Sequence, residues 1–227
     1  MRVYRNTRYI ERRSKLGLWA SLSGLVLTLA ALVMTWAVPQ YLQATLVVIW
    51  VGFLLSVLGT HYSEFYAGTT APHARLAEAF KGLDDRYALL LHELPVPYVL
   101  VEPRGLLVIT AKPVGGKVSY AQDRWRHEER GKFFKRLSGQ EGLGRPDVEN
   151  AADIERLKSW LKKYAPETVD VPVRGVIIFT NPEVQLDVEE SPVPALRPAK
   201  VKDWLRAQRG GSLSEEQRKK LEEALGL

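Results

Sequence analysis

From residue 16 to residue 63 the chain carries no Asp, Glu, Lys or Arg. Residues 16–38 form one apolar run of 23, Pro39 and Gln40 interrupt it, and residues 41–60 form a second run of 20. Both runs match the roughly 20 helical residues that cross a bilayer core. The short break between them leaves room only for a tight turn. The pattern predicts a transmembrane helical hairpin over 16–62, with Trp19, Trp36, Tyr41 and Tyr62 near its ends, where amphipathic rings favour the interface. Trp50 falls mid-span and is expected to face the partner helix. Gly17 with Ser21, and Ala20 with Gly24, have the small-x-x-x-small spacing that lets helices approach closely. The first run exceeds a signal-peptide core of about 7–15 residues, and a second span follows at once. No ionisable residue lies inside either span, which argues against a channel, pump or proton relay.

Beyond a linker at 63–73 the pattern shortens to strand and helix periods. Leu76, Ala79, Phe80 and Leu83 recur at helical spacing over 74–85. Residues 87–91 and 96–101 are β-branched, aromatic or aliphatic, and 106–112 holds a continuous apolar run that suits a strand buried on both faces. Pro103-Arg104-Gly105 is the turn between the last two. Gly115-Gly116 turns the chain into a strand from Lys117 towards Trp125. Residues 132–144 read as a polar loop. Pro146 opens a helix through Tyr164, with Asp147 and Glu149 in its first turn and Ile154, Leu157, Trp160, Leu161 and Tyr164 on its apolar stripe. A strand over 171–179 follows, then a short edge strand at 184–188. Three prolines from 190 to 198 exclude regular structure there. Residues 199–208 close with a helix. Ser212 and Glu215 form a capping-box pattern before a charged tail helix, expected to be mobile or to dock a partner.

Charge sets the orientation. Residues 1–15 hold Arg2, Arg5, Arg8, Arg12, Arg13 and Lys15 against Glu11 alone. As a basic arm this segment belongs in the cytoplasm, and two spans return the chain to the same side. Such an arm also attracts anionic headgroups. The absence of cysteine agrees with a reducing compartment. The net charge of +6 comes mostly from the arm, so the rest of the chain carries no general field for nucleic acid. A local basic stretch remains, with Lys117, Arg124, Arg126, Arg130 and Lys132 beside Trp125. Cations interleaved with aromatics can hold a phosphate backbone and stack bases.

The most informative stretch is 96–112, VPYVLVEPRGLLVITAK. Strand, Pro-x-Gly turn and strand ending on lysine resemble, without a gap, the core of the NERD (nuclease-related) domain, a branch of the restriction-endonuclease-like fold. The Gly-Lys-Val and Trp125 that follow extend the resemblance, which covers roughly residues 74–208. It implies an α/β fold with an αβββαβ core. It also implies a site of two carboxylates, which hold a divalent cation that activates water, and one lysine that positions the nucleophile. Here the family's Asp falls on Pro97 and its Glu on Thr110, and Lys112 alone remains. The family's Asn-Pro before the second core helix becomes Arg145-Pro146, and its downstream Gln falls near Glu149 or Asn150. Neither Pro97 nor Thr110 supplies an anionic oxygen, so no cofactor and no metal ligand are expected.

The chain therefore divides into a basic cytoplasmic arm (1–15), the hairpin (16–62), a linker (63–73), a NERD-like domain (74–209) and a charged tail helix (210–227). The expected function is a membrane-anchored, catalytically inactive module that binds nucleic acid or a protein. The alternative is a divergent nuclease at the membrane, in which Glu78 and Glu102 replace the lost acids around Lys112 and hold Mg²⁺ or Mn²⁺. Against that alternative, Glu102 sits at the turn end and points to the other face of its strand, where solvent exposure is expected. Lys112, a strand-end lysine before Pro113, also has a solvated reading. His61, His73, His92 and His127 show no metal-ligand spacing, Gly115-Gly116-Lys117 lacks the P-loop pattern, and no serine sits in a nucleophile elbow.

Overall fold

A computed structural model of the chain describes residues 1–129, 142–188, 190–208 and 210–227. It is mixed α/β and falls into two compact units. One is the segment Thr7–Ala71. The other joins Met1–Asn6 to the described residues of 72–130 and 143–227.

The first unit is a helical hairpin of α1 (Thr7–Ala37) and α2 (Leu42–Tyr66), joined by a single tight turn at Pro39–Tyr41. Both helices are long and apolar enough to cross a membrane. Their contact seam repeats every seven residues: Ile10, Gly17, Gly24 and Ala31 are buried on α1, and Thr45, Gly52 and Gly59 on α2. A strict heptad keeps one seam facing its partner along both helices. Glycine lets the backbones close on each other. A Cβ on Gly24 would lie 2.6 Å from the Gly52 carbonyl oxygen, and one on Gly52 would lie 3.0 Å from the Gly24 oxygen. Leu22, Val26, Leu29 and Val33 are exposed on α1, and Leu46, Val47, Leu54 and Leu58 on α2. An apolar outside around a small-residue seam is the pattern of helices packed in lipid. Trp50 does not face the partner helix; it is 64% exposed, because the seam is filled by residues too small to leave room for an indole.

The second unit is three-layered. Its main sheet has the order β1-β2-β3-β4-β7-β9, formed by Arg2–Arg5, Ala88–Leu91, Tyr98–Glu102, Gly105–Lys112, Val173–Phe179 and Ala195–Leu196. β2, β3 and β4 are an antiparallel meander, and β7 lies parallel to β4. One face packs on α3 (Pro72–Phe80) and α5 (Pro198–Ala207) through Leu76, Phe80, Leu100, Leu107, Ile109, Val201 and Leu205. The other packs on α4 (Pro146–Tyr164) and α6 (Glu215–Leu225) through Val99, Leu106, Val108, Leu157, Leu161 and Leu221. The two-residue period of the strands divides these sets. A small second sheet, β6-β5-β8, comprises Arg124–Glu128, Lys117–Ala121 and Gln185–Asp187. At the β3–β4 turn Gly105 has φ 134°, and Leu106 N donates to the Pro172 carbonyl (2.9 Å), which occupies the space a Cβ would need.

Four sequence expectations need correction. Residues 1–15 are not a separate basic arm, since Arg2–Arg5 is β1, parallel to β2, and α1 begins at Thr7. The linker of 63–73 shortens, because α2 runs to Tyr66 and α3 starts at Pro72. The proline-rich stretch contributes β9, paired with Ile177 and Ile178. The tail helix is docked rather than mobile. Leu221 is fully buried, Leu213 N donates to the Pro103 carbonyl (2.8 Å), and Glu222 accepts from Arg2 (2.6 Å) and Arg218 (3.1 Å). Its capping box is built from Ser214 and Gln217, two residues beyond the expected pair. The loop expected over 132–144 lies almost wholly outside the described residues.

Burial alone would raise the Glu222 carboxyl, but the hydrogen bonds from Arg218 and Arg2 outweigh it and hold the group below its ordinary value. A depressed carboxyl contributes stability above its unfolded value and loses it as pH falls through the folded one. Acidification below the ordinary glutamate range, about pH 4, is therefore expected to lower the thermal midpoint. Glu222→Gln should flatten the profile in that window, and an unchanged acid slope in the variant would show that the Arg2–Glu222–Arg218 cluster is not responsible.

Candidate functional site

β4 presents Leu106, Val108, Thr110 and Lys112 to the α4 side of the sheet. The recorded β3–β4 pairs begin at Val99 with Val108, and β3 itself starts at Tyr98, so Pro97 precedes the strand. Of the two positions at which the resemblance expects carboxylates, Thr110 lies on this face of β4, with Lys112 two residues further along. The neighbouring helix fills this face with polar groups. Asn150, fully buried on α4, donates from Nδ2 to Thr110 Oγ1 (3.0 Å) and to the Val108 carbonyl (3.2 Å). Its Oδ1 has no hydrogen-bond partner among the described residues and lies where a Cβ on Gly175 of β7 would sit.

Lys112 is 1% exposed, and its Nζ meets Glu149 Oε2 at 2.6 Å. The solvated reading of this lysine is wrong. It is a buried cation aimed at a half-exposed carboxylate in the first turn of α4, where the helix dipole also favours an acid. One turn on, burial pushes the Asp153 carboxyl above its usual range, with Arg156 opposing and Glu149 adding to the effect. Arg145 is exposed, 3.9 Å from Asp147.

The alternative acids do not join this cluster. Glu78 is exposed on α3, 3.9 Å from Lys81. Glu102 lies on the opposite face from Thr110, as its spacing requires. It is not solvated: it is 3% exposed and paired with Arg174, which also reaches Gln208 (3.3 Å). Glu102 pairs with Gly105 at one end of β4, and Lys112 ends the other, about 23 Å away at the usual rise per residue. Glu78, Glu102 and Lys112 cannot share a metal ion. Among the described residues no three His, Cys, Asp or Glu side chains are grouped to hold one.

The basic hairpin is also rearranged. β5 and β6 pair Lys117 with Glu128, Ser119 with Arg126 and Ala121 with Arg124, which places Lys117, Arg124 and Arg126 on one face. Asp187 is 3.7 Å from Lys117. Trp125 is on the other face, against Tyr120 (5.0 Å) and Phe179 (6.2 Å) of the core. The cations and the indole do not form the interleaved surface expected of a stacking platform. Arg130 and Lys132 lie outside the described residues. The sequence reading missed Arg174 and Gly175. A glycine inside an apolar strand signals close approach of another group, and here that group is Asn150.

Comparisons with family models, with curated proteins and with solved structures return no match for this chain.

Gly175→Ala is expected to cost about 1–3 kcal/mol by overpacking. Asn150→Ala should cost about 1–3 kcal/mol by stranding buried acceptors. Denaturant titration of the double variant should give less than the sum, because each change relieves part of the other; strict additivity would mean the two residues do not interlock.

Proposed function

We propose that this chain is a membrane-anchored protein whose α/β unit is a degenerate nuclease-like domain of the NERD type, acting as a binding module. One observation carries this reading: Thr110, where the resemblance expects a carboxylate, is a hydroxyl accepting from Asn150, and Lys112, two residues on, is held by Glu149. The order α3-β2-β3-β4-α4-β7, with the β5–β6 hairpin inserted between β4 and α4 and β7 parallel to β4, supports the nuclease-like core. The donor set does not fit a divalent cation. Mg²⁺ needs one or two carboxylates as anchors; β4 here offers a hydroxyl already accepting from Asn150, and Glu149 is committed to a buried ammonium.

The membrane reading rests on α1 and α2, and β1 adds to it. Residues 2–5 precede the hairpin and residues 88–91 follow it, yet they pair in one sheet. Both ends of the hairpin then lie on one side, which two crossings satisfy. The cations of the first fifteen residues favour the cytoplasmic side.

The partner is a nucleic acid or a protein. The nucleic-acid version draws on Lys117, Arg124 and Arg126, with Glu128 and Asp187 offsetting part of their field.

The test is cleavage and binding of single- and double-stranded DNA by the full-length protein in detergent, with Mg²⁺ and Mn²⁺, beside Lys112→Ala. The expected result is no cutting by either form. Metal-dependent cutting abolished by the substitution would overturn the reading and point to carboxylates relocated to Glu149 and Asp153. DNA affinity that weakens steeply with salt identifies a nucleic-acid module; without it the partner is a protein.

A further inference from the structure

The six cations of the first fifteen residues have separate fates. Arg2 is tied to Glu222, Arg5 belongs to β1, and the Arg13 guanidinium lies over the rings of Tyr9 (4.7 Å), Tyr62 (5.6 Å) and Tyr66 (5.7 Å). Arg8, Arg12 and Lys15 remain. All three are exposed on α1, and none forms an ion pair among the described residues. At 100° per residue they share an arc of about 60°. The same stripe continues through Trp19, Leu22 and Val26, all exposed. Glu11 is the one acid in the segment and lies at the edge of this arc.

The length of α1 puts the stripe at a particular depth. Its 31 residues span about 46 Å, some 16 Å more than a hydrocarbon core. The surplus is the polar first third of the helix, since the uncharged stretch begins at residue 16. Arg8, Arg12 and Lys15 therefore climb through the headgroup layer, Trp19 reaches its inner boundary, and Leu22 and Val26 lie against acyl chains.

We propose that this stripe is a binding site for an anionic phospholipid: the headgroup phosphate lies against Arg8, Arg12 and Lys15, and an acyl chain runs past Trp19 along Leu22 and Val26. Charge complementarity selects the headgroup, and the continuous apolar face selects a lipid over a soluble phosphate. Each cation near such a surface contributes about fivefold in affinity, so three supply a clear preference over a zwitterionic lipid. The site rests on the membrane placement proposed above.

The experiment reconstitutes the full-length protein into phosphatidylcholine vesicles containing either brominated phosphatidylglycerol or brominated phosphatidylcholine at equal fraction. Quenching of Trp19 is read as the difference from Trp19→Phe. The anionic quencher should act several-fold more strongly, rising salt should erode the difference, and the triple variant Arg8→Gln, Arg12→Gln, Lys15→Gln should abolish it. Equal quenching by the two lipids in reconstituted wild type would overturn the site. So would a preference that inorganic phosphate competes away. Failure to enter vesicles at all would instead sink the membrane reading.

Discussion

The pairing of β1 with β2 is the constraint on which the rest depends. Arg2 to Arg5 are aligned with Ala88 to Leu91, and the whole apolar hairpin intervenes. Closing so long a loop carries a large entropic cost, although that cost grows only slowly with length. The heptad seam of glycines between α1 and α2 lowers it by holding the ends of the hairpin near each other. The contact is secured beyond its ladder. The terminal ammonium binds the Leu83 carbonyl (2.7 Å) and Asp85 (3.0 Å), and Arg2 reaches Glu222 on α6. First strand and last helix thus meet on β2, and neither end of the second unit is loose.

From that closed sheet the chemistry of the candidate site follows by alternation. Even-numbered positions on β4 face α4 and odd ones face α3 and α5. Thr110 and Lys112 therefore meet Asn150 and Glu149, while Glu102, in register with Gly105, is delivered to the other face and to Arg174. Two buried polar arrangements result, one on each side of the sheet, and both are structural in geometry. An amide bridges a strand hydroxyl and a carbonyl, and each ion pair ties a strand residue to a residue on another element. Removing the partner of a buried charge is costly, which makes the buried Lys112 a fixed part of the fold rather than a free relic.

Much of this was legible in the sequence where local signals and tertiary packing agree. α4 starts at Pro146 and ends at Tyr164, where its proline, its acidic first turn and its apolar stripe place it. β4 was visible because a run buried on both faces is continuous. The uncharged stretch announced the hairpin, and Gly17, Ser21 and Gly24 pointed to its seam. β1 was invisible because Arg-Val-Tyr-Arg has two cations in four residues and a partner more than eighty positions away. The burial of Lys112 and Glu102 depended on Glu149 and Arg174, which no local pattern connects to them. The aromatic and basic residues of the β5–β6 hairpin are adjacent in sequence, and for that reason they fall on opposite faces of a strand.

The proposed membrane topology requires β1 and the α/β unit to face one side of a membrane and the hairpin turn the other. The chain has no cysteine, so single cysteines can be introduced without background. The decisive measurement is labelling of Val3→Cys, Tyr41→Cys and Val148→Cys, one per variant, by a membrane-impermeant maleimide in intact cells and after lysis. The account requires Tyr41→Cys to react from outside and the other two to react only after lysis. Labelling of Val3→Cys and Val148→Cys from opposite sides, or of all three from the same side, would contradict it.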